Sequence, residues 1–161
     1  NAGGRSLSVA IGDIRTGHAS PYTLVISRSG DYGVATSGLE GRSFTLGVAD
    51  SVTVIADSAP VADAAATFVA NNVTVDSPVV VRMRAGDVDP TSDIAGEEIV
   101  VAVGELEESE ISAALERGLV VARTLKAEGV ICDAVLQVKK RMATTIEKTT
   151  TIMLEVNYGN T

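Results

Sequence analysis

The sequence predicts an α+β domain with a mixed or antiparallel sheet and two main helices. Three observations carry this expectation. Ser51 to Ala56 is a β-branched run bounded by turn formers, which reads as a strand. The segment after it switches to helical spacing, with Val61, Ala64, Ala65, Phe68 and Val69 recurring every three to four residues. A longer apolar stripe of Ile111, Ala114, Leu115, Leu119, Ala122 and Leu125 predicts a helix over 109–128. At 161 residues the chain is expected to form one domain.

The remaining elements follow in order. Ser6 to Ile11 alternates as a strand, with Leu7, Val9 and Ile11 on one face, and Tyr22 to Ser27 reads as a second. Residues 29–47 hold Gly30, Gly33, Gly38, Gly41 and Gly47. That density calls for tight turns, backbone lying close to a ligand, or a solvated connector, and loop statistics favour the connector. Ser58 can cap the helix after Ala56, Pro60 suits its first turn, and Asn71-Asn72 should stop it. Pro78 to Arg82 reads as a strand, Ala85 to Gly96 as a polar loop, Ile99 to Val103 as a strand. Gly129 supplies a left-handed stop for the long helix, and Gly118 within it calls for a closely packed neighbour. Val130 to Val138 is a strand that Lys139-Lys140-Arg141 ends. Residues 1–140 are thus one domain. Residues 141–161 form a Thr-rich tail in which Ile152 to Val156 reads as an added strand, an arm or a frayed terminus.

Composition removes several function classes. Apolar residues make up 45% and charged residues 21%, which excludes wholesale disorder. Aromatics are only 3%, so Val, Ala, Ile and Leu must build the core. The net charge of −8 and the scarcity of aromatic platforms argue against nucleic acid. Cys132 stands alone, which excludes an intrachain disulfide and a cysteine zinc cluster, and its apolar run suggests a small buried hydrophobe. There is no apolar run long enough for a membrane span and no signal peptide, so a cytoplasmic location is expected.

Chemistry centres on the strand–helix unit. Asp63 and Thr67 lie one helical turn apart and share a face. Both are hard oxygen donors, which suit Mg²⁺, an ion that completes its shell with water and substrate phosphate. A nearby helix N-terminus favours anions as well. On spacing alone, the plainer reading of Asp63 as a first-turn dipole partner outweighs the metal. His18, the only histidine, sits in a Gly-His-Ala-Ser-Pro loop without an assignable acid or nucleophile, and reads as solvated. Asp87, Asp89 and Asp93 lack the Gly and distal Glu of a calcium loop and read as a polar turn. Glu105, Glu107, Glu108 and Glu110 suit the positive end of the long helix.

Four short motifs appear in sequence: Asn1-Ala2-Gly3-Gly4, Ala35-Thr36-Ser37-Gly38, Ser51-Val52-Thr53-Val54, and Asp63 with Thr67. Their order resembles the ApbE superfamily, the FAD:protein FMN transferases, over roughly residues 1–75. Ser43 to Asp50 is more similar to its uncharacterised thiamine-biosynthesis ApbE-like branch. The resemblance implies Mg²⁺ held by Asp63, Thr67 and the Ala35 backbone carbonyl. It implies a FAD or FMN ligand contacted by Gly3, Gly4, Thr36, Ser37 and Gly38.

Two departures stand out. The transferases carry His-x-x-Asp-Pro-x-Thr-Gly before the Ser-Val-Thr-Val strand, whereas Arg42 to Asp50 holds neither His nor Pro. Asp50 is the only acid left there that could act catalytically. Asp13 to Gly17 resembles part of that motif but lies upstream of Ser37. The chain also opens at Asn1, on a motif that the family places inside its domain. What remains corresponds to the C-terminal part of that domain, so association with an upstream fragment or as a homo-oligomer is expected.

Three readings result: a flavin- or nucleotide-binding protein with a phosphate-bearing ligand and Mg²⁺, a non-catalytic assembly subunit, or an enzyme using Asp50 on a small acid.

Overall fold

The structure is a computed structural model that describes residues 6–12, 19–27, 29–39, 41, 43–147 and 152–156. It is α+β and built in three layers. The central layer is a four-stranded antiparallel sheet in the order β3 (Gly33–Ser37), β4 (Ser51–Ala56), β7 (Asp133–Val138) and β8 (Arg141–Thr144). Helices α1 (Ala59–Asn72) and α3 (Glu108–Ala127) cover one face. A three-stranded antiparallel sheet of β1 (Leu7–Gly12), β2 (Ala19–Ile26) and β9 (Ile152–Val156) covers the other. A ribbon of β5 (Val80–Arg84) and β6 (Glu98–Val103) completes the set, with the short helix α2 (Ala85–Val88) after β5.

Strand alternation divides the core in two. Val52 and Val54 of β4, with Ala134, Leu136 and Val138 of β7, face the helices. They meet Ala65, Ala66, Val69 and Ala70 of α1 and Ile111, Ala114, Leu115, Leu119 and Ala122 of α3. On the reverse face Ile55 and Val135 meet Ile11, Leu24, Ile26 and Ile152. Both clusters are aliphatic, as the near absence of aromatics requires. Full burial of each Val, Ile or Leu contributes about 1.5–3 kcal/mol.

The helix ends explain themselves in part. Ser58 holds the N-cap of α1 with extended backbone, φ −149° and ψ 155°, but its hydroxyl makes no capping bond. Pro60 and the carbonyl of Ser58, which accepts from Ala62 N at 3.0 Å, start this helix instead. α3 opens on a capping box in which Glu107 N donates to Glu110 Oε2 at 2.8 Å. Gly129 ends it at φ 73°.

The glycine-rich stretch is neither a connector nor a ligand cradle at the positions that matter most. Gly33 opens β3 directly against Ser58 and Ala59, where any Cβ would collide with α1 backbone. Gly47 lies against the Ala70 carbonyl in the same way. The connection from β3 to β4 is therefore laid along α1, and Val48 N donates to Val73 O at 2.7 Å.

Four further expectations are corrected. The polar loop over 85–96 contains α2, because Asp89 N can close a helical turn on Ala85 O at 2.8 Å. The strand expected from Val130 begins only at Asp133, since Val130 and Ile131 are spent on turns back to Leu125 O. The same strand does end at Val138, ahead of Lys139-Lys140-Arg141 as expected, but Arg141 belongs to a further strand of the sheet. Lys139 adopts φ 53°, a two-residue hairpin forms, and Arg141 opens β8. Cys132 is half-buried, with Sγ 3.7 Å from Asp57 Oδ1, where a small buried hydrophobe was expected.

Candidate functional site

α1 packs over β3 and β4, which brings the Asp63–Thr67 pair alongside the strand that carries Ala35. Its inner face is Ala62, Ala65, Ala66, Val69 and Ala70, so Asp63 falls on a flank and is exposed while Thr67 is half-buried. Asn71 continues the same flank one turn further on. Its Oδ1 accepts from Leu46 N at 3.0 Å and from Thr45 Oγ1 at 3.3 Å, tying the β3–β4 connection to this side of the helix.

Neither the Asp63 carboxylate nor the Thr67 hydroxyl makes a hydrogen bond or ion pair among the described residues. For Thr67 this is informative. A helical Ser or Thr commonly bonds its hydroxyl to the carbonyl four residues back. Thr124 does so to Val120 O at 3.0 Å, and Ser112 to Glu108 O at 2.8 Å. The Thr67 hydroxyl is left available.

Alternation along β3 sorts the other candidates. Ala35 packs with the helix-side cluster, whereas Val34 packs with the reverse-face cluster. Ser37 follows Ala35 to the helix side and Thr36 follows Val34 away from it. Thr36 is committed there, sharing a 2.9 Å hydrogen bond with Thr53 Oγ1. Thr36 thus lies on the opposite face of the sheet from Asp63 and Thr67. Gly38, at φ 146°, lies against the Ala49 and Asp50 carbonyls, and a Cβ there would come within 2.5 Å of Asp50 O. Leu39 N donates to Ala49 O at 2.9 Å, so Gly38 and Asp50 are held together by backbone contact. Asp50 N donates to Gln137 O at 2.9 Å. Gly3, Gly4, Asn1, His18, the segment from Asp13 to Gly17, and Thr149 to Thr151 lie outside the described residues.

Of the expected metal ligands, Asp63 and Thr67 share a flank of α1, and Ala35 lies in β3, a strand that α1 packs over. No group of three or more His, Cys, Asp or Glu capable of holding a metal occurs among the described residues. A carboxylate and a hydroxyl one helical turn apart are hard oxygen donors of the kind that Mg²⁺ accepts. In the Asp87–Asp93 turn, Asp89 Oδ1 takes Thr91 N at 2.8 Å and Thr91 Oγ1 at 2.7 Å. These bonds hold the Asp89 carboxyl below its ordinary value, which fits a turn cap.

Sequence reasoning missed a second polar constellation. Lys126 Nζ donates to Asp133 Oδ1 at 2.5 Å and to Thr145 O at 2.9 Å. Thr145 Oγ1 donates to the same Asp133 oxygen at 2.9 Å and accepts from Ala134 N at 2.8 Å. The group borders a groove of about 630 Å³ with Arg123 and Glu147. Its residues stand too far apart in sequence to give a spacing signal.

The fold and this site define an α+β protein with helices on one face of a central antiparallel sheet and an oxygen-donor flank on its first long helix. The family model described as AbpE bacteria matches residues 1–145, and the chain belongs to that family. It is distinct from the ApbE transferases that the motifs resemble. No curated protein and no solved structure matches the chain.

Proposed function

We propose that this protein binds a flavin or another nucleotide-like phosphate ligand through Mg²⁺, with Asp63, Thr67 and the Ala35 carbonyl as the metal's protein ligands. The observation that supports this most is the unspent Asp63–Thr67 pair beside β3. Bound Mg²⁺ would offset the negative charge of a phosphate that a −8 protein otherwise repels. Asp63 supplies the charge, and Thr67 a neutral oxygen one turn away. Asn71 fixes the adjoining connection, and Ser37 and Gly38 are the ligand-contacting candidates at the end of β3. Thr36 is withdrawn from that set by its bond to Thr53. The reading covers ligand binding in the cytoplasm. Transfer chemistry would fall to Asp50, the only acid in the segment where the ApbE transferases carry their His motif.

The test is a fluorescence titration of FMN and of FAD into the full chain, with and without Mg²⁺, repeated for Asp63→Ala and Thr67→Val. Mg²⁺-dependent binding is expected, and Asp63→Ala should raise Kd at least about 10-fold. A wild type that shows no Mg²⁺-dependent flavin signal, or an Asp63→Ala chain that binds as well, overturns the reading. The first result favours the assembly-subunit alternative, which draws on the exposed Val81, Met83 and Val101 of the β5–β6 ribbon.

A further inference from the structure

The β7–β8 hairpin sets three consecutive cations, Lys139, Lys140 and Arg141, into a protein of net charge −8. Beside the start of α3 they line a groove of about 500 Å³. Lys139 is held at both ends. Its backbone takes a left-handed φ of 53°, and its carbonyl accepts from Gln137 Nε2 at 3.2 Å. Its ammonium donates to Val103 O at 3.0 Å. That carbonyl carries no net charge and takes one of the three N–H donors of a lysine. Neither Lys139 nor Lys140 has a carboxylate partner among the described residues. Arg141 does, with Glu108 Oε2 at 3.4 Å.

The charges around the groove select its occupant. Its walls carry these three cations against two acids, Glu105 and Glu108. Glu108 is matched by Arg141, which leaves Lys139 and Lys140 facing Glu105 alone. Glu107 and Glu110 are near in sequence, but their carboxylates accept from main-chain N–H groups in the capping box of α3. The surplus is one positive charge, which a monoanion balances. A phosphate monoester carries about −1.5 to −2 at neutral pH and would set its second charge against the acids, whereas a carboxylate carries one. The floor is apolar. Leu106 and Ile111 are buried in the helix-side cluster and Val103 packs against it, so an aliphatic body suits the space below the head group. The volume falls within the roughly 300–1,000 Å³ of small-molecule sites.

We propose that this groove binds a short aliphatic carboxylate, its head group on Lys139 and Lys140 and its chain over Val103, Leu106 and Ile111. No residue of α1 lines the groove, so the proposal does not rest on the flavin reading. The probe is hexanoate, titrated into the isotope-labelled full chain and followed by amide NMR. The amides of Gly104, Lys139 and Lys140 should shift along a saturable curve. Hexanol, of the same length without the charge, and inorganic phosphate, without the chain, should each bind at least about 10-fold more weakly. Lys139→Gly removes the cation at a backbone angle that glycine favours, so its thermal melt should match or exceed the wild type while Kd for hexanoate rises at least about 10-fold. Lys140→Ala, at an exposed position, should weaken binding as well, and Lys139→Arg, which keeps the charge, should lose less than Lys139→Gly. Arg123→Ala, which removes an exposed cation elsewhere on α3, should leave Kd unchanged. Hexanoate that leaves those amides unmoved overturns the proposal. So does hexanol or inorganic phosphate binding as tightly as hexanoate, a folded Lys139→Gly chain that binds like the wild type, or an Arg123→Ala chain that loses as much as Lys139→Gly.

Discussion

Lys126 of α3 donates to Asp133 at the start of β7 with a 2.5 Å bond, and this contact joins the long helix to the sheet at one end of the domain. Asp133 has only 9% of its side chain exposed, whereas Lys126 keeps 31% in solvent. The buried partner therefore matters more. Asp133→Ala leaves both the Lys126 ammonium and the Thr145 hydroxyl without their shared acceptor. A loss of about 2–3 kcal/mol is expected, and Asp133→Asn, which keeps an acceptor oxygen, should lose less. Urea unfolding of the three chains checks the order.

Gly118 shows packing overruling local propensity. Alanine would favour an isolated helix by about 1 kcal/mol. Here its Cβ would strike Val73 Cγ2 and come within 2.8 Å of Leu136 Cδ2. Overpacking of that kind costs about 1–3 kcal/mol, so Gly118→Ala should be net destabilising. Val73→Ala removes the struck methyl groups. A thermal-denaturation double-mutant cycle should show the two changes together costing less than their sum.

Asn71 holds Thr45 and Leu46 with one side-chain oxygen, and Gly47 N in turn donates to Thr45 Oγ1 at 3.2 Å. Asn71→Ala should free this connection at a cost of about 1–2 kcal/mol. Amide hydrogen exchange at Leu46 and Gly47 should accelerate more than at Val54 in the sheet core.

Asp89 gives a pH-dependent signature. Its carboxyl is held below the ordinary value by the Thr91 hydroxyl, then by the Thr91 amide. A group depressed on folding contributes stability above its unfolded pKa and loses it as pH falls through the folded value. The turn should therefore loosen only in acid, below about pH 4. Thr91→Val removes the larger cause and should move the Asp89 titration upward, measured by carboxyl carbon NMR.

The parts of the fold legible in the sequence were those whose burial is one-sided or complete over several residues. β4 is buried at every position and reads as a β-branched run, and the α3 stripe repeats without interruption. β3 was not legible because Gly33 and Gly38 mimic turn punctuation, whereas here they permit close backbone approach to α1 and to Asp50. β8 was hidden by a hairpin whose left-handed residue is Lys139, where Gly or Asn is the usual signal. For the site, helical spacing gave the Asp63–Thr67 pair. It could not reveal that Thr36 turns to the opposite face, because that depends on which cluster Val34 and Ala35 join. Asn71 read only as a helix stop, since its bond to Leu46 spans 25 positions.

β9 pairs in register with β2, Ile152 against Ile26 and Val156 against Tyr22. Nearly the whole described chain must be made before these two strands can meet, and joining such distant segments carries a large loop-closure entropy. Until then β1 and β2 are a two-stranded hairpin with an open hydrogen-bonding edge, marginal by itself. During synthesis the helix-backed sheet can assemble first, and the reverse face stays unsealed until residues 152–156 emerge from the ribosome. A stalled or shortened product would display Ile55 and Val135 under an incomplete cover, which makes the completeness of translation itself a determinant of solubility.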